Sequence, residues 1–424
     1  MRCMKRTGIG RTSLLTACLA TGFLAGCEGV IPEANEAESE MSHEDASKAY
    51  LARAQAGKPT LDLAKGAQAA AVKHLERLAT EKKEGNLMIS PFSYQECLGM
   101  IRLGTAGGTN KELAIWLGTG ADSGQASIAL KAGRDTLKPL LDAGIVTTAN
   151  GVWVSRDARI NPPYLEQVKR NFDAAVKSSS FPEPGLTEIN SFAKDKTKGR
   201  IEKILDELDP LTRMVLVNAI HFKDKWQEPF EKKLTKTEEF HAPDGVKKAD
   251  MMHGGKGFKG AKADGFIFAT TTFKTGLRIV FALPASNSVP VEKAVAPMLA
   301  AAGRGFHLEV NRVALPKLKS EFKWDMKPTM QAMGVSQPFD PEKADFSLMS
   351  PETLFITQVV QKTFVQFDEE GVEAAAVTAG VVGLTSAPMD PPMDFIADRP
   401  YAYVILDKNG MPLFLGIVRD PTKG

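Results

Sequence analysis

Along the first third of the chain, apolar residues recur with helical spacing. Leu63, Ala67, Ala70 or Ala71, His74, Leu75 and Leu78 form one stripe and predict an opening helix, with His74 as a residue of its face rather than a ligand. Ser90-Pro91 ahead of Phe92 to Leu103 predicts a second helix, with serine as cap and proline in the first turn. Ser93, Cys97, Met100 and Gly104 share one of its faces, so Cys97 is expected to be a core thiol. Further on the pattern shortens to strand-like runs at Val152 to Val154, Met214 to Ile220, Arg278 to Leu283, Phe306 to Val310, Phe364 to Phe367, Tyr401 to Leu406 and Leu413 to Val418. Helices early and strands late predict an α+β fold rather than a regularly alternating one.

One segment fits neither pattern. From Glu369 to Ser386 the side chains are too small for a core and too apolar for an ordinary loop. With the two-residue period of a strand, Val372, Ala374, Ala376, Thr378, Gly380 and Val382 share an uncharged face, and Glu373 lies on the other. A segment exposed for good gains nothing from such a face. One that must slide into a sheet, over a hydrophobic core, requires it.

Composition narrows the class. The 424 residues are 43% apolar and 25% charged, an ordinary globular balance, and a net charge of +2 gives no reason to expect nucleic acid. The N-terminus carries Arg2, Lys5, Arg6 and Arg11, then an apolar stretch from Leu14 to Gly26 that is too short for a permanent membrane span, as in an export signal. It ends in Leu24-Ala25-Gly26-Cys27, which resembles the lipobox of bacterial lipoproteins, where Cys27 would be lipidated and become the first mature residue. Cys3 and Cys18 leave with the signal, so Cys97 has no disulfide partner. From Cys27 to Thr60 the chain is acidic and small-sided (Glu33, Glu36, Glu38, Glu40, Glu44, Asp45), which predicts a flexible tether, disordered or weakly helical. From Leu61 to Gly424 neither linker nor repeat interrupts the sequence, and one large domain is expected. The protein would be exported, anchored through Cys27 to the cell envelope, and sorted to the outer membrane in a diderm cell because Glu28 rather than aspartate follows the cysteine.

No catalytic or metal pattern survives its context. Gly255 to Gly260 matches GxGxxG, but a poor strand precedes it and a poor helix start follows, so a hairpin tip is expected. Gly104 to Thr109 lacks the ending of a phosphate loop. His43, His74, His221, His241, His253 and His307 show no zinc spacing, no serine sits in a Gly-x-Ser-x-Gly elbow, and no cofactor is implied. Lys131, Arg134 and Lys138 are assigned to a solvated helix face.

Separated segments, in order, carry a family resemblance. Asn86 to Ser93 contains Asn-x-x-x-Ser-Pro-x-Ser; Ile189-Asn190 precedes Thr197-Lys198-Gly199-Arg200-Ile201; Leu216 to Trp226 leads to Pro229-Phe230; Ala344 to Ser347 and Phe414-Leu415-Gly416 follow. From about Leu61 to its end, the chain resembles the serpin family. The resemblance implies a single domain with three β-sheets, about nine helices and an exposed reactive-centre loop. It also implies a suicide-type inhibitor of serine, or cysteine, proteases: the protease forms an acyl-enzyme with the loop, which then inserts as a new strand and traps it before hydrolysis.

Carried over residue by residue, Glu369 and Gly371 to Thr378 (Val372, Glu373, Ala374, Ala375, Ala376, Val377) form the hinge. Gly371 relieves steric limits where the loop bends, and the alanines have little volume or rotamer entropy to lose. Val372 departs from the family's threonine or serine. Counting seventeen residues from Glu369 places the scissile bond at Thr385-Ser386, with Leu384-Thr385 and Met389-Asp390 as minor candidates. No lysine or arginine lies between Lys362 and Arg399, so elastase-like or subtilisin-like targets with small or medium apolar pockets are expected rather than trypsin-like ones. Ser90, Ser93 and Asn218 match the family's shutter, with Gln361 where a histidine is usual, and Trp226 matches the breach tryptophan. A monomer is expected. The competing reading is a non-inhibitory serpin-fold binding protein whose loop is only a substrate, and the small hinge residues favour inhibition over it.

Overall fold

The computed structural model describes residues 41–55, 59–172, 174–254, 256–372 and 392–423. Nine α-helices are found there: α1 (His43–Gln55), α2 (Pro59–Glu81), α3 (Pro91–Arg102), α4 (Gly107–Leu117), α5 (Ser123–Asp142), α6 (Pro162–Phe172), α7 (Gly185–Lys196), α8 (Val295–Arg304) and α9 (Met326–Ala332). The strands of the first half are β1 (Leu87–Ile89), β2 (Val146–Ser155), β3 (Ala175–Ser179), β4 (Met214–Phe222), β5 (Asp224–Lys225), β6 (Lys236–Ala242), β7 (Gly245–Gly254), β8 (Lys259–Ala263) and β9 (Phe266–Thr272). Those of the second are β10 (Arg278–Pro284), β11 (Leu308–Pro316), β12 (Leu318–Asp325), β13 (Gln358–Phe367), β14 (Gly371–Val372), β15 (Met393–Ile396), β16 (Tyr401–Leu406) and β17 (Pro412–Val418).

They form a seven-stranded sheet, β3-β2-β4-β13-β14-β5 with β12 on β13, and a ten-stranded one. The larger consists of two ladders fused through β11, which pairs with β8 at Leu308–Glu309 and with β7 at Val313–Pro316. With the seven-stranded sheet, these two ladders make up the three sheets expected.

Strand alternation explains how the seven-stranded sheet is packed. On β4, Val215, Val217 and Ala219 join Ile189 and Ala193 of α7 in a small core on one face. Met214, Leu216, Ile220 and Phe222 point the other way, into the main core. Asn218 shares that second face, so an amide lies where an apolar residue would be expected and must find hydrogen-bond partners. Gln361 of β13 stands opposite it in the ladder.

Two expectations change. Residues 43–55, expected within a disordered or weakly helical tether, form α1 packed on the domain, because Ala46, Tyr50 and Ala54 at four-residue spacing bury one stripe. Ser42 caps it through the Asp45 N–H at 3.1 Å, and the Tyr50 hydroxyl accepts from the Lys408 N–H at 2.8 Å. The second concerns Gly255 to Gly260, expected at a hairpin tip: β7 and β8 on either side pair with different parts of β11, not with each other. Cys97 is buried in the main core as expected, its thiol pKa pushed up to about 12 by burial and by Glu96.

Candidate functional site

The centre of the sheet is closed by buried amides and hydroxyls. Gln358 to Phe364 of β13 pair in parallel with Val215 to His221 of β4, so no strand lies between them there. Beneath, Gln361 Nε2 donates to Asn218 Oδ1 at 2.6 Å and to the Ser90 carbonyl at 3.1 Å, while Gln361 Oε1 accepts from the Ser90 N–H at 2.8 Å. Asn218 Nδ2 donates to the Ser93 hydroxyl and to Asn150 Oδ1. Ser90 caps α3 and its hydroxyl donates to the Leu413 carbonyl at 2.6 Å. All four residues named from sequence meet here, at 0 or 1% exposure.

Sequence reasoning missed the continuation of this network. Asn150 Nδ2 donates to Glu96 Oε2 at 3.0 Å, and Arg134 Nη1 reaches both Glu96 oxygens at 2.9 and 3.0 Å. Arg134 therefore leaves the solvated face to which it was assigned. Its side chain is 16% exposed against 38% for Lys131, which pairs along its own helix with Asp135. The missed signal is Glu96 itself, three residues beyond Ser93 on the buried side of α3, where an ionised carboxylate requires a cation.

Above the closed pair, the sheet opens by two residues. Val372 pairs with Phe367 of β13, and Gly371–Val372 pair on their other side with Lys225 and Asp224 of β5. The hinge start thus lies between the upper ends of the two strand tracks, with Val372 fully buried. Gly371 is required for close approach: a Cβ there would stand 2.1 Å from the Asp224 carbonyl oxygen and 2.6 Å from the Lys225 Cα.

Trp226 fastens this corner. Its Nε1 donates to the Asp368 carbonyl at 2.8 Å, its backbone N–H to the Glu370 carbonyl at 3.0 Å, and its ring stacks on Phe273 at 4.9 Å. Glu369 is 4% exposed and accepts from the Thr235 hydroxyl at 2.8 Å and Lys317 Nζ at 2.9 Å. Burial opposes its ionisation, but these donors outweigh it and hold the carboxyl below the usual glutamate range. Asp368 is raised by its burial, against hydrogen bonds from the Glu370 and Gly371 N–H groups. Lys232 pairs with Glu370 at 2.6 Å. Glu373 to Thr378, Thr385 and Ser386, like Cys27, lie outside the described residues.

Among the described residues, β4 and β13 are thus paired directly below, and Gly371–Val372 lie between β13 and β5 above. The sequence model of the family described as Serpin (serine protease inhibitor) matches residues 65–421, and the chain belongs to this family. It is 32% identical to human Serpin B8 over 363 residues, covering 81% of this chain and 95% of that one. Plasminogen activator inhibitor 1 of Sus scrofa is 28% identical over 97% of this chain and 100% of its own. The crystal structure of native protease nexin-1 with heparin superposes with a TM-score of 0.75 at 26% identity, covering 85% of this chain and all of that one.

Proposed function

We propose that this serpin is a suicide-type inhibitor of serine proteases, cleaved at Thr385-Ser386, that traps the acyl-enzyme by inserting Gly371 to Val382 between β4 and β13. The observation that carries the proposal is the hinge. Val372 is buried between Phe367 and Asp224 while Gln358 to Phe364 below it still pair directly with β4. This supports an insertion that begins at the hinge and would part the directly paired β4 and β13 below it. The nucleophilic serine of the protease forms an ester with the Thr385 carbonyl carbon, and Ser386 leaves with the amine proton. Movement of the freed Thr385 end would carry the ester-linked protease away before water completes hydrolysis.

The absence of basic residues between Lys362 and Arg399 supports targets with small or medium apolar pockets. The lipobox-like run supports anchoring through Cys27 at the envelope, in the outer membrane of a diderm cell. The mature chain should give an SDS-stable complex with elastase or subtilisin, and mass spectrometry of the released fragment should begin at Ser386. Cleavage without a complex at any ratio would instead return the reading of a serpin-fold binding protein. For the anchor, Cys27→Ser should move the protein from the membrane fraction to the soluble one; unchanged fractionation would sink that part alone.

A further inference from the structure

The hinge seats on a strand of only two residues, β5, where Lys225 stands opposite Gly371 and Asp224 opposite Val372. So short a strand has little stability of its own, and its place is set by what it packs against. The first support is the turn between β9 and β10. There the Lys274 N–H donates to the Lys225 carbonyl at 2.8 Å and the Thr275 hydroxyl donates to Asp224 Oδ2, while Phe273 bridges to the Trp226 backbone and stacks on its ring.

The second support is α1, which lies ahead of residues 65–421 matched by the family model. The Ser47 hydroxyl of this helix donates to the Lys274 carbonyl at 3.1 Å. Leu51 packs beside Gly276, where an added Cβ would stand 2.9 Å from Leu51 Cδ2, and Gly276 at φ +85° gives the turn both its bend and this close approach. At its first residue α1 also reaches β5 directly, with His43 Nε2 3.0 Å from Asp224 Oδ1. Asp224 is 1% exposed, so its carboxylate has to collect polar partners, and it is met by the Lys225 N–H at 2.8 Å, by Thr275 and by His43. Elsewhere the helix is held by the Tyr50 hydroxyl, which accepts from the Lys408 N–H, and by Arg53, whose Nη1 donates to the Asp135 carbonyl at 2.7 Å. The contacts thus run in one series, from α1 to the 273–277 turn, to β5, and to the hinge.

We propose that α1 positions the hinge: by bracing the 273–277 turn and Asp224, it fixes β5 where Gly371 and Val372 pair with it, and so sets the point from which the loop would insert. His43, Ser47 and Leu51 are the positioning residues, acting through β5. The consequence for trapping rests on the proposed inhibitory function, whereas the seat of the hinge does not.

Hydrogen–deuterium exchange of the full chain reads that seat without any protease. In His43→Ala with Ser47→Ala, the amides of Asp224 to Gln227 and of Asp368 to Val372 should exchange about tenfold faster, and those of Val215 to Ile220 in β4 at the wild-type rate. Ala46, Tyr50 and Ala54 still bury the stripe of α1 in this variant, and far-ultraviolet circular dichroism checks its fold. Leu51→Ala, a single change on the same brace, should move the same amides in the same direction. Arg53→Ala, which loosens the helix on α5 instead, should leave the hinge amides unchanged. With elastase, the double variant should give less SDS-stable complex and more cleaved chain than the wild type. Unchanged hinge exchange in the folded variants, or an equal rise in Arg53→Ala, would overturn the proposal. A wild type that forms no complex at all would instead remove the inhibitory function, and the exchange rates would still decide whether α1 sets the hinge.

Discussion

At the shutter, β4 and β13 are joined through Gln361, Asn218, Ser90 and Ser93, all buried and none ionisable near neutral pH. At the breach, the carboxylates beside the hinge pair with cations of neighbouring segments, Glu369 with Lys317 and Glu370 with Lys232, and the lysine of each pair is partly exposed. The lower closure is a fixed set of neutral hydrogen bonds in a low-dielectric setting, where each loss leaves an unpaired group. The ion pairs around the upper end are wetter, so individual contacts there are weaker and respond to pH and salt. Under the proposed insertion, which would proceed from the top downward, these screened pairs would be disturbed first and the amide network last.

Five variants probe the contrast. Val372→Arg should have the largest effect, since a guanidinium cannot occupy a fully buried strand position without a partner. With elastase or subtilisin it should give cleaved protein and no SDS-stable complex; retained complex formation would contradict seating of the hinge between Phe367 and Asp224. Arg134→Ala comes next. It strands the buried Glu96 carboxylate beside Asn150 and should cost about 3 kcal/mol in denaturant unfolding. Asn218→Ala removes two donors and one acceptor from the shutter and should cost about 2 kcal/mol, with little difference between pH 5 and pH 8 because its direct partners Ser93, Asn150 and Gln361 are not ionisable there.

Glu369→Gln should cost about 1 kcal/mol at pH 7, and its signature is a pH dependence. The folded pKa of Glu369 lies below the ordinary 4.5, so its contribution is fully present above pH 4.5 and disappears as pH falls through the folded value. Asp368, raised by burial, acts in the opposite sense: folding favours its protonated form, so stability returns as it protonates. Hinge proteolysis in the wild type, followed from pH 6 down to pH 3, should therefore rise more steeply than in Glu369→Gln, and equal slopes would remove Glu369 from the upper closure. Lys131→Ala should be the smallest effect, below about 0.5 kcal/mol, since an exposed pair with Asp135 on one helix is all it loses. Arg134 and Lys131, on one helix and three residues apart, thus separate a structural charge from a solvated one.

Much of this was legible in the chain. The α3 cap at Ser90 and the strand runs from Met214 and Tyr401 are local patterns, written by propensity and periodicity. The ordered motifs from Asn86 to Gly416 are by themselves enough to point to the family. By contrast, the packing of α1 was not legible, because its stripe of Ala46, Tyr50 and Ala54 is sparse within an acidic segment read as disordered or weakly helical, and its stability comes from contact with other elements. Glu96 and Arg134 were missed for a related reason: 38 residues separate them, and only the crossing of α3 and α5 brings them together.

The sequence by itself determined most of the elements, the family, and the small uncharged set of alternate residues from Val372 to Val382, because each is a matter of residue type and spacing along the chain. Only the tertiary structure decided what those elements do to one another. It set Gly371 against the Asp224 carbonyl, continued the shutter through Asn150 and Glu96 to Arg134, and packed α1 against the 273–277 turn that holds β5. The reason is physical: distance in space between residues remote in sequence is set by packing, and burial, dielectric and charge partnership all follow from that distance.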